Sequence, residues 1–439
     1  MYALLPHPDQ PLVLAQSDPE KLSLPHRACN ERIWVADTYK LKPFLEELAG
    51  APINILRYIA HQTDEELQQR DCIHLLELQT ADVPHAGFWL PLEKILKNTN
   101  MPPALREGLT RWHDEQRLGT LPERRAPWAL PGWHAQAERW IADQVVHLGY
   151  GEISSIEPVK SWSISCVLRV TTETGILYFK ASRDLPLFVN EGVVLTRLGE
   201  LYPDRLPIPV ALAPERNWML LEDLGKPLGG ESALEKQVLL MQDFARLQLD
   251  STRKIDALLV AGCKDRRIER LFSYIDPLLQ DELILGSLAT EERTKLTNCG
   301  PHLRQLIEEL VALPVPAALI HGDLHAGNVV LRDDSFIYFD WTDAAVSHPF
   351  FDMLQIFWEG DEAKKDALQE EYLSVWEQYY PQAGVRRAWE LAGTLYGLYH
   401  AVSYQYIVNG IEKLAQPELN FADSFLRKLL EGLSSLDAR

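Results

Sequence analysis

The stretch "LIHGDLHAGNVVLRDDSFIYFDW", residues 319–341, sets short polar side chains among long apolar runs. Asp323, Asn328 and Asp340 are polar, whereas most of their neighbours are leucine, isoleucine, valine or aromatic residues. A buried charge is costly unless another group pairs with it. The pattern therefore predicts a largely buried hairpin whose two carboxylates and one amide bind a partner, and a metal ion is a candidate.

The spacing of these residues suggests a particular chemistry. "HGDLHAGN" puts Asp323 and Asn328 five residues apart in one loop, and "VVLRDDSFIYFD" predicts a hairpin whose second strand ends at Asp340. Mg²⁺ prefers oxygen ligands, often one or two protein carboxylates together with substrate phosphates. A hydroxyl that attacks a phosphoryl group needs positioning, metal ions and a nearby carboxylate. We therefore expect a site for phosphoryl transfer.

The loop from His321 to Asn328 resembles the HGDxHxxN loop of the aminoglycoside phosphotransferase and choline kinase family, a branch of the protein-kinase-like fold. The resemblance implies that Asp323 is the catalytic base and that Asn328 and Asp340 hold Mg²⁺. It also implies that Asp352, in "HPFFD", hydrogen-bonds the catalytic loop. We expect His321 to be structural rather than a base.

The resemblance extends upstream and covers roughly residues 130–439. It implies that Lys180, in "YFKAS", contacts the α- and β-phosphates of ATP and that Glu191, in "NEGVVLTRL", pairs with Lys180. In "LLEDLG" it implies that Glu222 and Leu224 offer backbone groups to the adenine. The plain alternatives are that Lys180 is a surface lysine and Glu191 a solvated acid on a helix face.

One segment departs from the pattern of protein kinases, which place a GxGxxG loop over the phosphates. The corresponding segment "VKSWSISCVLRV" contains no glycine. Ser161, Ser163 and Ser165 are candidates to contact the phosphates through their hydroxyls, and the backbone N–H groups of the segment are also available.

The charge distribution bears on the phosphate acceptor. The net charge is −20, and residues 131–439 hold 45 acidic against 29 basic residues. The helix predicted for "RAWELAGTLYGLYHAVSYQYIV" carries several tyrosines, and Trp358 and Glu359 follow Asp352 closely. Because aromatic faces attract cations, we expect a small hydroxyl compound that bears an amine. The alternative is a neutral sugar, with the aromatics in the core and the charge serving solubility.

The order of predicted elements indicates an α+β protein, and the resemblance implies a bilobal protein-kinase-like fold, which we expect after a separate small α+β domain. Strands are predicted in "ERIWVADTY", "INILRYIA" and "CIHLLELQ", and a helix in "PALREGLTRWHDEQR". The predicted divisions are an N-terminal domain of unknown role, a proline-rich linker, a small β-rich lobe with the hinge, and a larger helical lobe with the catalytic loop: 1–117, 118–132, 133–225 and 226–439.

Several partner classes are excluded by composition. The acidic balance argues against nucleic acid, which requires a basic face, and no apolar run is long enough to span a membrane. Five scattered cysteines without a CxxC pair indicate reduced thiols and a cytoplasmic protein. We expect a kinase that uses ATP or GTP with Mg²⁺; the alternative is a non-catalytic kinase-like nucleotide-binding module.

Overall fold

The computed structural model describes residues 1–438 apart from 19, 20, 30, 32, 65–68, 81, 82, 84–86, 99 and 100. The described chain divides into two compact units. The first unit contains residues 1–183 and 411–415, and the second contains the rest. The second unit is therefore interrupted in sequence by a short segment that belongs to the first.

The first unit contains four helices and nine strands in its described part. In chain order they are β1 (Tyr2–Leu4), β2 (Val13–Asp18), β3 (Lys21–Ser23), α1 (Thr38–Ala49), β4 (Ile53–Asp64), β5 (Gln69–Leu78), β6 (Phe88–Leu90), α2 (Leu92–Asn98), α3 (Pro103–Leu118), α4 (Trp133–Leu148), β7 (Ile153–Ser161), β8 (Ser165–Thr172) and β9 (Ile176–Ser182).

Small sheets organise the first unit. β5 lies between β1, which is parallel to it, and β4, which is antiparallel, while β2 pairs with β3 and β6. β8 pairs antiparallel with both β7 and β9. Alternate residues of β8, from Cys166 to Thr172, are buried, so one face of this strand lies in a core. This is the period-two pattern expected of a strand with one exposed face.

The second unit is mainly helical. Its described elements are α5 (Glu191–Leu201), β10 (Ala211–Ala213), β11 (Trp218–Glu222), α6 (Leu234–Ser251), α7 (Ile255–Ala261), β12 (Lys264–Asp265), α8 (Leu271–Leu279), α9 (Glu282–Leu285), α10 (Thr290–Asn298), α11 (Gly300–Val311), β13 (Ala318–Ile320), β14 (Val329–Arg332), β15 (Ser335–Tyr338), β16 (Ala345–Ser347), α12 (Leu354–Phe357), α13 (Glu362–Glu377), α14 (Gln382–Gly410), α15 (Gln416–Leu419) and α16 (Ala422–Asp437).

One apolar core holds these helices around the short strands that carry the opening stretch. α14 packs against α16, and α13 packs against α6. The strands β13 and β16 pair antiparallel, and β14 and β15 form the predicted hairpin. Leu319, Ile320 and Val329 are fully buried, so both ends of the loop between β13 and β14 are fixed in the core.

The structure agrees with most of the element predictions and corrects one. Both units mix helices and strands, which confirms the α+β class. The strand predicted for "ERIWVADTY" is wrong over residues 33–37, which form no strand, and α1 begins at Thr38. The physical reason is that the Asp37 side chain accepts a hydrogen bond from the Lys40 N–H and caps the helix.

The predicted domain boundaries stay a prediction. The contact-based division falls after Arg183, and it puts residues 118–132 and β7–β9 in one unit with residues 1–117. Within the described residues, no helix combines the length and the low polarity that crossing a membrane requires.

Candidate active site

The loop between β13 and β14 carries Asp323 and Asn328. Asn328 donates its Nδ2–H to the backbone oxygen of Asp323 at 3.0 Å and to its Oδ2 at 3.3 Å. The Asp323 side chain is 51% exposed, whereas Asn328 is buried. The loop therefore presents a carboxylate to solvent while a buried amide fixes its orientation.

The His321 side chain links this loop to the segment before Asp340 through two hydrogen bonds. Its Nδ1 accepts the N–H of Asp323 at 3.3 Å, so its Nε2–H donates to the backbone oxygen of Phe339 at 2.8 Å. The ring is buried against Trp341, with centroids 4.6 Å apart, and burial lowers the pKa of the imidazole. Both ring nitrogens are engaged with the backbone, as expected for a structural histidine.

Asp352 anchors the start of the loop. Its fully buried carboxylate accepts the N–H of His321 at 2.6 Å and the N–H of Gly322 at 2.7 Å. Burial raises the pKa of Asp352 to about 7, against the effect of these two hydrogen bonds. Gly322 has a φ of 89°, and a Cβ there would lie 2.4 Å from the Cβ of Asp343. Only glycine fits this close approach.

Asp340 lies just beyond the hairpin in a left-handed conformation, with a φ of 68°. The N–H of Phe339 donates to the backbone oxygen of Asn328 at 3.0 Å, which brings Asp340 within one residue of a contact with Asn328. The structure therefore brings the two predicted metal ligands to the same end of the hairpin. Non-glycine residues rarely take this conformation, although aspartate does so more readily than most.

Glu191 contacts the segment that follows Asp340. Its Oε1 accepts the N–H of Trp341 at 2.9 Å, and its Oε2 lies 3.0 Å from the Thr342 hydroxyl. The same hydroxyl lies 3.2 Å from Oδ1 of Asp340. Glu191 is 2% exposed, so it is not a solvated acid on a helix face. One hydroxyl thus lies between two carboxylates, and its single proton can bond only one of them at a time.

The remaining nucleotide-binding candidates lie in two units. In the second unit, Glu222 ends β11 and is exposed, and Leu224 is half-buried in the loop that follows. In the first unit, Lys180 lies on β9 between the buried Phe179 and Ala181 and opposite Val167 of β8. Lys180 itself is half-buried, so a plain surface position does not describe it.

Ser161 ends β7, and Ser163 lies within the turn between β7 and β8. The N–H of Ser161 donates to the backbone oxygen of Ala36 at 2.9 Å, and the N–H of Trp162 donates to that of Ser165 at 3.0 Å. In the described part of the chain, no hydrogen bond uses the N–H groups of Ser163 and Ile164.

The aromatic residues singled out for the acceptor differ in their surroundings. Trp358 is 45% exposed, but the Lys428 ammonium lies 5.3 Å from its ring centroid. Glu359 forms an ion pair with Lys364 at 2.6 Å. Lysines of this chain therefore already contact both residues that were expected to bind the amine of the acceptor. The buried Tyr396, Tyr399 and His400 of α14 are core residues.

Tyr404, on the same helix, lies closer to the candidate site. It is half-buried and stacks on Phe425 with centroids 5.4 Å apart. Burial, with a smaller contribution from the charges of Asp323 and Asp343, raises the pKa of Tyr404. Both carboxylates therefore lie within electrostatic range of the Tyr404 hydroxyl.

Sequence reasoning missed Thr342 and Asp343 as members of this site. Both stand in "FDWTDAA", within three residues of Asp340. The sequence signal was a second carboxylate and a hydroxyl directly after a candidate metal ligand. Their partners, Glu191 and Gly322, are remote in sequence, so only the fold shows the contacts.

Comparisons with known proteins identify relatives of this chain. A sequence model of the phosphotransferase enzyme family, APH, matches residues 156–389. Among solved structures, a macrolide 2′-phosphotransferase from Brachybacterium faecium is 15% identical; the match covers 65% of this chain and 96% of that one, with a TM-score of 0.46.

Two further solved structures match over similar lengths. A choline kinase from Streptococcus pneumoniae is 13% identical, with 68% of this chain and 99% of that chain covered and a TM-score of 0.46. The GDP complex of an aminoglycoside 2′-phosphotransferase is 14% identical, with 68% and 98% covered and a TM-score of 0.47. No curated protein sequence matches the chain.

Proposed function

Because this chain belongs to the phosphotransferase enzyme family, we propose that it is a kinase that transfers the γ-phosphoryl group of ATP to a hydroxyl of a small molecule. The observation that supports this most strongly is the Asp323 carboxylate, which is half-exposed and yet oriented by the Asn328 amide. A base that must receive a proton from a bound substrate needs both properties.

In the proposed reaction, Asp323 accepts the proton of the acceptor hydroxyl as that oxygen attacks the γ-phosphorus. The new oxygen–phosphorus bond forms while the bond to the bridging oxygen of ADP breaks, and ADP leaves with the electron pair. Asn328 holds the carboxylate, and His321 holds the Asp323 N–H. The base therefore needs little reorganisation when the acceptor arrives.

Asn328 and Asp340 are the proposed holders of Mg²⁺. Asn328 turns its Nδ2 toward Asp323, so its Oδ1 faces away from that carboxylate. Amide and carboxylate oxygens suit this hard cation, which, when bound, neutralises charge on the phosphate oxygens. We expect Asp340→Ala to abolish Mg²⁺-dependent turnover. Activity of this variant equal to that of the wild type across a Mg²⁺ titration would contradict the assignment.

The nucleotide contacts are proposed from the family pattern. Lys180 would contact the α- and β-phosphates and pair with Glu191. Backbone groups of Glu222 and Leu224 would hydrogen-bond the adenine of the nucleotide. In the turn between β7 and β8, the N–H groups of Ser163 and Ile164 are better candidates to bind phosphate than the N–H of Ser161. The Ser161 N–H already donates to the backbone oxygen of Ala36. The hydroxyls of Ser161 and Ser163 remain candidates beside them.

The proposed acceptor carries an amine. The Tyr404 hydroxyl lies within electrostatic range of Asp323 and Asp343, whereas Trp358 and Glu359 already contact lysines. We expect kcat/KM to favour an amino sugar over its parent sugar, and an amino alcohol over its diol, by about tenfold to a hundredfold. A neutral compound that is preferred in both pairs would contradict the cationic acceptor and leave the kinase proposal standing.

A screen of hydroxyl acceptors for ADP release, with ATP and GTP as donors, tests the proposed function. We expect release that depends on both Mg²⁺ and an acceptor, and that is lost in Asp323→Asn. Nucleotide binding without turnover on any acceptor class, under conditions where a family member of known activity reacts, would instead favour a nucleotide-binding module.

A further inference from the structure

The turn between β7 and β8 is fixed by side chains where a glycine-rich loop would be mobile. Trp162 donates its Nε1–H to the Ser165 hydroxyl at 2.7 Å. Its backbone oxygen accepts the Nε1–H of Trp128, also at 2.7 Å. Trp128 is 2% exposed, so this donor comes from a buried ring. Both the ring and the backbone of Trp162 are therefore held.

Residues 34–36 contact the same turn. The Ala36 oxygen accepts the N–H of Ser161, and the Trp34 ring meets the Trp162 ring edge-on at 5.1 Å. The Lys160 ammonium lies 3.8 Å from the Trp162 centroid and 5.1 Å from that of Trp34. A cation and two tryptophans thus contact one another at the start of the turn.

This group explains how the turn can lack glycine. A glycine-rich loop reaches its phosphate-binding conformation at an entropic cost, because glycine has many conformations to lose. Here the contacts of Trp162 restrict the turn before any ligand binds. The N–H groups of Ser163 and Ile164 lie in the middle of the restricted segment. No hydrogen bond within the described residues uses them, so both can donate to a ligand.

We propose that Trp34, Ala36 and Trp128 are positioning residues that hold the β7–β8 turn in the conformation that binds the nucleotide phosphates. The inference rests on the proposed function, because it assumes that this turn covers a nucleotide. It gives residues outside the family match of 156–389 a part in the same reaction. None of the three is a catalytic residue, since they act through Trp162 and Ser161.

The first test compares Trp34→Ala with Trp34→Phe, which keeps an aromatic edge for Trp162. Tyr39→Ala is the matched control, because Tyr39 is an aromatic residue of the same unit that is 60% exposed. We expect Trp34→Ala to raise the KM for ATP about threefold to tenfold with little change in kcat or in the acceptor KM. Trp34→Phe should restore most of the loss, and Tyr39→Ala should match the wild type.

The second test needs no activity. Hydrogen–deuterium exchange of the nucleotide-free protein should be faster over residues 161–166 in Trp34→Ala and in Trp128→Phe than in the wild type. Trp128→Phe keeps a buried ring but removes the donor to Trp162, so it also serves if Trp34→Ala fails to fold. Unchanged exchange and unchanged ATP KM in these variants would overturn the proposal.

The two proposals fail in different ways. A wild-type protein that binds no nucleotide would refute the kinase function, whereas the exchange measurement would still report whether Trp34 and Trp128 hold the turn. A wild-type enzyme that phosphorylates its acceptor, beside a folded Trp34→Ala variant with the same kinetics and exchange, would refute the positioning role alone.

Discussion

At the scale of single residues, Asp323 carries the sharpest prediction. Asp323→Asn keeps the shape of the side chain but removes the proton acceptor, so kcat should fall by about 10² to 10⁴. ATP affinity should change little, as measured by calorimetric titration. Asp333→Asn is the control, because Asp333 is exposed in the hairpin turn with a φ of 48° that asparagine tolerates. An Asp323→Asn variant with more than about half the wild-type kcat would refute the role of Asp323 as the catalytic base.

Thr342 is a second residue whose contacts predict a measurable effect. Thr342→Val removes the hydroxyl between Glu191 and Asp340. A partner that orients a metal ligand is worth about tenfold to a hundredfold in metal affinity or activity. We expect a weaker apparent Mg²⁺ affinity of that order and a free energy of unfolding lower by about 1–3 kcal/mol.

Thr342→Ser is the matched control, since serine keeps the hydroxyl and loses only a methyl group. It should retain most of the Mg²⁺ affinity. If Val and Ser variants show the same Mg²⁺ dependence, the hydroxyl has no role in holding Asp340.

The residues of the site differ in how far the sequence predicts them. Asp323 and Asn328 are readable because both lie in one loop at a fixed spacing. The cation beside Trp358 is not, because Lys428 comes from the distant α16. Tertiary contacts between remote segments leave no local pattern, so the sequence does not reveal that Lys428 contacts Trp358.

At the scale of elements, the strands β8 and β9 are readable from the sequence, because β-branched and aromatic residues with alternating burial mark a half-buried strand. The segment "IWV", residues 33–35, has the same composition but forms no strand. Its Trp34 ring contacts Trp162 instead. Composition alone cannot separate a paired strand from an unpaired segment that makes one tertiary contact.

Strand β5 carries a titratable group with a predictable effect on stability. His74 is 1% exposed, its Nε2 finds no hydrogen-bond partner in the described chain, and burial lowers its pKa to about 3. Below about pH 6.5 the unfolded chain binds a proton that the folded protein refuses until about pH 3. The folded state is therefore destabilised as the pH falls through this window.

The contribution of His74 should be about 2 kcal/mol between pH 7 and pH 5. Urea unfolding at both pH values should show a smaller loss in His74→Leu than in the wild type. The exposed His147, changed to leucine in the same unit, is the control and should keep the wild-type pH dependence. Equal losses in the wild type and in His74→Leu would contradict the assignment.

At the scale of the whole molecule, buried charges join distant parts of the first unit. Arg125 contacts Glu115 at 2.9 Å and Glu412 at 2.6 Å, and its side chain is only 4% exposed. Arg57 also binds Glu115, at 3.2 Å. The Tyr58 hydroxyl donates to the backbone oxygen of Leu414 at 3.0 Å. These contacts fix the segment 411–415 in the first unit.

The predicted linker, residues 118–132, is a proposal that proteolysis can test. Leu118 and Leu121 are 61% and 59% exposed, whereas Trp128 and Ala129 are buried. We expect limited digestion with trypsin to cut first at Arg124, which is exposed and outside any helix or strand, since exposed loops are the preferred sites. Arg125, held by two carboxylates, should be protected. A first cut inside β7–β9 or in the second unit would contradict this prediction. It would show that the exposed part of residues 118–132 is not the segment most accessible to trypsin.

The return of the chain at residues 411–415 has a consequence for its synthesis. A ribosome makes protein from the N-terminus onward, and domains generally fold as units in that order. The first unit, however, receives Glu412 only after the 227 residues from 184 to 410 of the second unit have emerged. Until then Arg125 can form its ion pair with Glu115 but not the one with Glu412. The first unit therefore completes this charge network only after most of the second unit has been made.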